Sequence, residues 1–405
     1  MIEELFEGCL SIDPSQQTAE DFMGPSSPIP TSKGIILFAD DSERPIQLVT
    51  AANIRRTVIA RLFGYDLSKI TKRTNIAQIT HKICYYRCYN DFKISLKYYQ
   101  IARALYPNSY KEILTLPKQA YIKIDPTAKW PFFSLIDKPM KLDTEKIFGL
   151  FPSRKAAGQF IQILQSAFDL CQRPGLINAG QKAQSCPYLQ MSNCPAPCVG
   201  RTSRTEYLKQ VESAILAAQG NLDESKNRLQ NCMLSLSEQR AFEKAQAIKK
   251  QLQQLELLAK EAYRWTTELS KLTILHIDMS AKIADKDRRK KIQTYSAFLI
   301  RSGTIFELPD FTLEKIEEFH KSLLAQLSLA IDHIEPIQLS EQLSIIGYRL
   351  YRSTPAGIWL DCSSIQQPPS AKQIKMSICK KIESTTRNSQ NGITNKTAID
   401  DNANC

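Results

Sequence analysis

The sequence predicts a multidomain α+β protein, and three observations carry that expectation. Short apolar runs alternate with amphipathic helical stretches over the first 140 residues. Helical periodicity, broken by a cysteine- and proline-rich loop, fills residues 141–268. Strand-like runs return beyond 270. A chain of 405 residues has room for roughly two to four domains and a sizeable core.

Residues 1–30 are polar and carry Pro14, Pro25, Pro28 and Pro30, so they are expected to form a lead-in strap. GIILF (34–38) and PIQLV (45–49) read as strands joined by the acidic turn Asp40-Asp41-Ser42. Asn53 offers an N-cap to IRRTVIARLF, whose Ile54, Val58, Ile59, Leu62 and Phe63 share one helical face ending at Gly64. A strand at 79–89, a helix at 91–106 closed by Pro107, and strands at 120–124 and 131–136 complete a ββαβαββ order. That order predicts a small α/β domain over 31–140.

Ser153 caps a helix over 151–170 that delivers the chain to Cys171, and a further helix spans 202–220. Residues 141–220 are therefore expected to form a helical four-cysteine domain. An antiparallel helical pair is predicted over 221–268, turning near Ser235–Glu238, with Met233, Phe242, Ala245, Ile248, Leu252 and Leu255 at helical spacing. Beyond it, a strand at 272–279, a hairpin over 293–308 turning at Arg301-Ser302-Gly303, two helices and a strand at 357–361 predict a C-terminal α/β domain over 269–363. Residues 364–405 are polar and Asn-rich, which predicts a disordered tail.

The formal charge of +12 favours an anionic partner such as nucleic acid over an acidic substrate. The acidic start MIEELFEGCL lacks the basic and apolar regions of a signal peptide, and no apolar run is long enough to span a membrane. A cytoplasmic location is the economical reading, and in that reducing compartment clustered cysteines point to metal rather than to disulfides.

Cys171, Cys186, Cys194 and Cys198 follow one another as C-x14-C-x7-C-x3-C, interleaved with Pro174, Pro187, Pro195 and Pro197. Four thiolates on a loop with few apolar residues suit a tetrahedral zinc or an iron–sulfur cluster, which would staple the segment. The alternative is four ordinary thiols that fall together by chance. Cys84 and Cys88 in KICYYRC read as core cysteines of a strand, and His81, His276, His320 and His333 form no pair at ligand spacing.

SCPYLQMSNCPAPCVG, preceded by FGLFPSRKAAGQFIQILQSAFDLC, resembles the cysteine region of the UvrC family, the nuclease subunit of nucleotide excision repair. That resemblance implies a [4Fe–4S] cluster on Cys171, Cys186, Cys194 and Cys198, with Zn²⁺ as the alternative. RAFEKAQAIKKQL (240–252) is similar to the UVR motif, a helical hairpin that docks onto a UvrB-like helicase. It implies partner contacts at Phe242, Glu243, Ala245 and Ile248, although residues such as Phe242 and Ile248 are more often hairpin core than partner contact. GIILF…IQLVTAANIRR sits where the family has its GIY-YIG nuclease domain. The resemblance covers roughly residues 30–260.

The first domain departs from the family's catalytic pattern. The GIY tyrosine falls on Ile36, the YIG tyrosine on Gln47 with its glycine on Val49, and the catalytic arginine on Thr57. The metal-binding glutamate belongs near Lys97 or Tyr98, and no Asp or Glu lies between Asp91 and Glu112. Metal-assisted phosphodiester cleavage needs a carboxylate for the cation and a group that activates water. A degenerate GIY-YIG domain is therefore expected, with no catalytic residues. Arg55, Arg56 and Arg61, near Lys69, Lys72 and Arg73, are candidates for gripping DNA phosphates, as is KDRRKK (286–291). HIDMS (276–280) faintly resembles the opening strand of the family's RNase H-like second nuclease, with Asp278 in the acidic place.

The resulting expectation is a nucleotide-excision-repair protein that binds DNA and docks a UvrB-like helicase. One alternative is an endonuclease of the single-cut Cho type with displaced catalytic residues. The other is a UVR-hairpin adaptor that does not act on DNA.

Overall fold

The computed structural model describes every residue except 1, 14–15, 65–75, 140–144, 177–185, 191–193, 195, 285–289, 332–333, 364–367 and 385–405. Strands β1 (Gly8–Ser11), β2 (Gly34–Ala39), β3 (Pro45–Ala51) and β4 (Lys82–Arg87) form an antiparallel sheet in the order β1-β4-β2-β3. The unbroken apolar run of β2 is buried on both faces, as a central strand requires. Helix α1 (Ile54–Leu62) starts where Asn53 accepts the Arg56 N–H, and α2 (Asp91–Leu105) starts where Asn90 accepts the Lys93 N–H. A short turn of helix, α3 (Tyr110–Ile113), follows.

The first thirty residues are more than a strap. Residues 8–11 become the edge strand β1, and Phe6, Ile12, Phe22 and Ile29 are buried, because apolar side chains recur between the prolines. Cys9 faces Cys84 across β1 and β4, and the two form a disulfide. A uniformly reduced set of cysteines was the expectation, and the register of β1 overturns it.

β5 (Tyr121–Ile124) and β6 (Ser134–Ile136) do not close the first domain. They pair with β7 (Lys146–Gly149), which in turn pairs with β8 (Thr267–Glu268), in a second antiparallel sheet ordered β6-β5-β7-β8. The ββαβαββ order is therefore shared between two sheets. The helices α4 (Arg154–Ala167), α5 (Pro187–Gln190), α6 (Arg204–Ala218), α7 (Asp223–Glu238) and α8 (Phe242–Leu257) follow in the chain. Ser153 caps α4, and a Ser203–Glu206 capping box opens α6. Ile122, Phe148, Phe160, Leu164, Tyr207 and Leu255 share one core beneath this sheet.

The third sheet has the order β11-β10-β9-β12, built from β9 (Thr273–Ala284), β10 (Lys291–Arg301), β11 (Thr304–Phe311) and β12 (Ile358–Asp361). The β10–β11 hairpin turns through Ser302 and Gly303 at φ 49° and 88°, the two left-handed positions that a tight hairpin needs. Helices α9 (Ile316–Ser328) and α10 (Pro336–Leu350) complete the unit. The first and third units share a core in which Phe92 and Tyr99 of α2 meet Ile274, Phe298 and Leu343. Among the described residues no helix is long and apolar enough to cross a membrane.

Residues 371–384, expected to be disordered, form a helix, α11. Its N-terminus is a capping pair: Gln373 N–H donates to Ser370 Oγ, and Ser370 N–H donates to Gln373 Oε1. Ala371, Ile374 and Ile378 are buried against the third sheet at i, i+3, i+7 spacing. The polar composition masked that short stripe. Ile374 is fully buried, so Ile374→Ala is expected to cost about 2–5 kcal/mol of unfolding free energy. Urea titration of the two proteins checks this; an unchanged midpoint would mean that α11 contributes nothing to the core.

Candidate functional site

The positions where cleavage chemistry was sought hold structural side chains. Ile36 lies at the centre of β2 and is fully buried. Gln47 stands on β3 opposite Phe38, its Oε1 buried without a hydrogen-bond partner. Thr57 lies on α1 in a hollow of ≈ 360 Å³ lined by Ala52, Asn53, Arg56, Ala60 and Arg61, with no carboxylate among the described residues of its wall. On α2, Lys97 pairs with Glu307 at 3.0 Å, and the Tyr98 hydroxyl donates to the Leu48 carbonyl at 3.3 Å.

Of the three candidate phosphate-gripping arginines, Arg55 is committed elsewhere. Its guanidinium donates to the carbonyls of Ile29 at 2.8 Å and Gly24 at 2.6 Å, so it clamps the N-terminal segment onto α1. Arg56 and Arg61 do line the hollow. Lys69, Lys72 and Arg73 lie outside the described residues, as do residues 286–289 of the second basic run.

α4 ends just before Cys171, whose buried thiol donates to the sulfur of Cys194. That contact favours the Cys194 thiolate and lowers its pKa to about 6 against the opposing effect of burial; the Ala196 N–H, donating to Cys194 Sγ at 3.4 Å, adds to it. Burial and the charges of Cys194 and Cys186 push the Cys198 thiol up. Ala196 holds the left-handed conformation at φ 55° that turns the loop back between Cys194 and Cys198. Cys186 is buried ahead of α5. The four thiols thus gather in one neighbourhood. Among the described residues, however, no three His, Cys, Asp or Glu side chains close on a common point as ligands would. Cys88, by contrast, is a core thiol raised to about 12 by burial.

The helical pair turns at residues 239–241, three residues later than expected, with Arg240 at φ 57°. Ala245 is buried and Ile248 packs partly against the core. Phe242 is not a core residue: it is 67% exposed, Leu234 is 58% exposed, and Glu243 lies in solvent beside Phe242. An apolar tip free of internal partners is left at the turn.

Comparison with known proteins agrees with this geometry. Residues 119–217, which open with β5 and end within α6, match the model of the UvrC/Cho excinuclease middle domain. A UvrABC system protein C from Caldicellulosiruptor saccharolyticus is 26% identical over 74% of this chain and 48% of its own length. One from Carboxydothermus hydrogenoformans is 24% identical over 68% and 43%. Another, from Syntrophus aciditrophicus, is 31% identical over 33% and 22%. These matches support a UvrC-family protein. It spans about half the length of the relatives it matches over most of its own length. No solved structure matches it.

The segment HIDMS lies on β9. His276 is a core imidazole: its ring stacks on Trp359 at 3.9 Å and Nδ1 meets the Ile358 carbonyl oxygen at 3.0 Å. Burial lowers its pKa to about 3. Asp278 borders a hollow of ≈ 220 Å³ beside Tyr295, Ile358 and Ile378, and burial raises its carboxyl to about 6. Of the carboxylates that approach α2, Asp91 at its first turn and Glu307 of β11 are taken up by lysines, Glu341 accepts from the Tyr99 hydroxyl and Glu335 pairs with Arg103. Glu307 gave no sequence signal because it arrives from β11, more than two hundred residues away in the chain.

Asp278 makes the site's pH dependence testable. A carboxyl raised above its unfolded value adds stability that is complete below about pH 4 and is lost as pH rises through about 6. Asp278→Asn removes that loss. Its urea midpoint is expected to match the parent at low pH and to exceed it increasingly up to about pH 7. A pH-independent difference would show that Asp278 ionises normally in the fold.

Proposed function

We propose that this chain serves nucleotide excision repair as a factor that binds DNA and docks a UvrB-like helicase, with a GIY-YIG-like first domain that does not cut. The observation that carries the reading is Ile36, a fully buried alkyl side chain at the position that would need a proton-transferring hydroxyl. The adjoining hollow supports it, because among the described residues its walls offer Arg56 and Arg61 but no carboxylate to hold a divalent cation. Arg56 and Arg61 suit phosphate contact instead.

An endonuclease with displaced residues is the second reading, and Tyr85 is the observation that favours it. Tyr85 stands directly opposite Ile36 across β4 and β2, bringing a phenol to the same face. Its hydroxyl, however, donates to the Pro28 carbonyl at 3.2 Å, and Tyr85 is not among the described residues that line the hollow.

Docking is assigned to the tip of the α7–α8 hairpin, where Phe242 and Leu234 offer a helix-borne apolar patch flanked by Glu243. The four cysteines are assigned to a [4Fe–4S] cluster, with Zn²⁺ as the alternative. The donor set fits: an all-sulfur neighbourhood in which Cys171 and Cys194 already touch and one thiolate is favoured. When bound, the cluster would supply cross-links between loop and body rather than reaction chemistry. Closing Cys186 and Cys198 onto the Cys171–Cys194 contact is the adjustment it requires.

The deciding experiment is incision of lesion-bearing duplex DNA with a purified UvrB-type partner and Mg²⁺ or Mn²⁺. The expected outcome is a salt-sensitive protein–DNA complex without a strand break. A clean, metal-dependent nick would overturn the non-cleaving reading in favour of the displaced-residue enzyme.

A further inference from the structure

The base of the helical hairpin and the third unit leave a groove of ≈ 450 Å³ between them. One wall is the short segment after α8 that carries Arg264 and Trp265; the other is the end of α10 with Tyr351 and Arg352, continuing to Trp359 on β12. Lys381 of α11 closes one end and donates to the Pro355 carbonyl at 3.3 Å. No part of the family resemblance pointed here.

Flat rings and cations alternate along these walls. Arg264 lies over the Trp265 ring at 5.1 Å. Trp359 is fixed by its stack on His276 and by its indole N–H, which donates to the Ala356 carbonyl at 3.2 Å. The Tyr351 hydroxyl donates to the Leu150 carbonyl at 2.8 Å, which locks that ring in place. Rings held rigidly in this way can stack on a ligand with little further ordering cost. Glu261 is the anion in the wall, and Arg264 pairs with it at 3.3 Å.

Positive charge is in surplus behind the groove as well. Asp91 is shared by Lys33, by Arg349 at 3.3 Å and by Arg352 at 3.8 Å. One carboxylate cannot neutralise three cations. Arg352, the outermost contact and 46% exposed, reaches from this cluster into the groove. A binding site for simple anions would need only the cations, and an apolar docking cleft would need only the rings. Cations and fixed aromatic faces together match a ligand with a phosphate backbone and flat bases.

We propose that this groove holds unpaired nucleotides of a DNA strand, with phosphates on Arg264, Arg352 and Lys381 and bases against Trp265 and Trp359. Bases inside a duplex hide the faces that such rings would stack on, so the groove selects single strand over duplex. Selectivity among bases is weak, because every base presents a π-face. The proposal rests on the DNA-binding reading above and adds to it a place and a strand state.

The test is fluorescence anisotropy of labelled oligo-dT, and of a duplex of equal length, with the full chain and three variants. Trp265→Ala is expected to weaken oligo-dT binding roughly tenfold while duplex binding changes little. Trp265→Phe keeps a ring and should recover most of the loss, which separates stacking from misfolding. Arg352→Glu should weaken oligo-dT binding and flatten its salt dependence. Wild-type affinity for oligo-dT in both Trp265→Ala and Arg352→Glu overturns the groove while leaving DNA binding intact. Failure of the parent chain to bind either DNA form overturns the groove and the DNA-binding reading together. An acidic peptide that binds as tightly as oligo-dT, with the same Trp265 dependence, would assign the groove to a protein partner and also overturn the proposal.

Discussion

The contact between the Cys171 and Cys194 sulfurs is the constraint on which the middle of this molecule depends. Between Cys171 and α6 the buried side chains among the described residues are Cys186, Ala196 and Pro197, all small. Apolar burial yields about 25 cal/mol per Å², whereas ordering each residue costs about 1–2 kcal/mol. Three small side chains cannot offset the ordering of such a loop. Cys171, placed just after α4, joins this loop to the core shared by Phe160, Leu164 and Tyr207.

A second constraint closes the same unit from the other side. After the long excursion through α4 to α8 the chain returns at β8 to pair with β7. There Glu268, nearly buried, accepts from Lys146 at 3.1 Å, from Gln219 at 2.6 Å and from Ser270 at 2.8 Å. Burial alone would raise its pKa, yet these bonds outweigh burial and hold the carboxyl below its usual range. Removing a donor would strand a buried charge, which costs more than the bond itself returns. This closure sets the segment 261–265 against the third unit, and so shapes the groove.

Local signals were legible and long-range ones were not. The caps at Asn53 and Ser153 and the Ser302-Gly303 turn depend on a few adjacent residues, and each formed where the sequence placed it. The four cysteines were legible through their spacing. The strands at 121–124 and 134–136 were recognised, but their partner, β7, was not, since pairing depends on which edge the folded chain presents. β1 is only four residues long and its burial is half-complete, so alternation gave too few positions to detect it. Helix α11 hid its apolar stripe in a polar tail, although Ser370 and Gln373 spelled out its cap. Arg55 read as a surface cation because its acceptors are carbonyls on a segment twenty-six or more residues upstream.

These features place the exposed cations and rings of the molecule away from the core of its first sheet. Ile36 fills the core of the first sheet, cations and rings line the groove beside the third, and the hairpin tip stays bare. The four-cysteine loop lies in the chain between the first unit and the helical hairpin, and whether it holds an inorganic centre tests the account most directly. Anaerobic purification of the chain followed by iron and acid-labile sulfide analysis measures it directly. The account predicts brown protein with about four irons and four sulfides per chain. Colourless, fully folded protein with neither iron nor sulfide would contradict it.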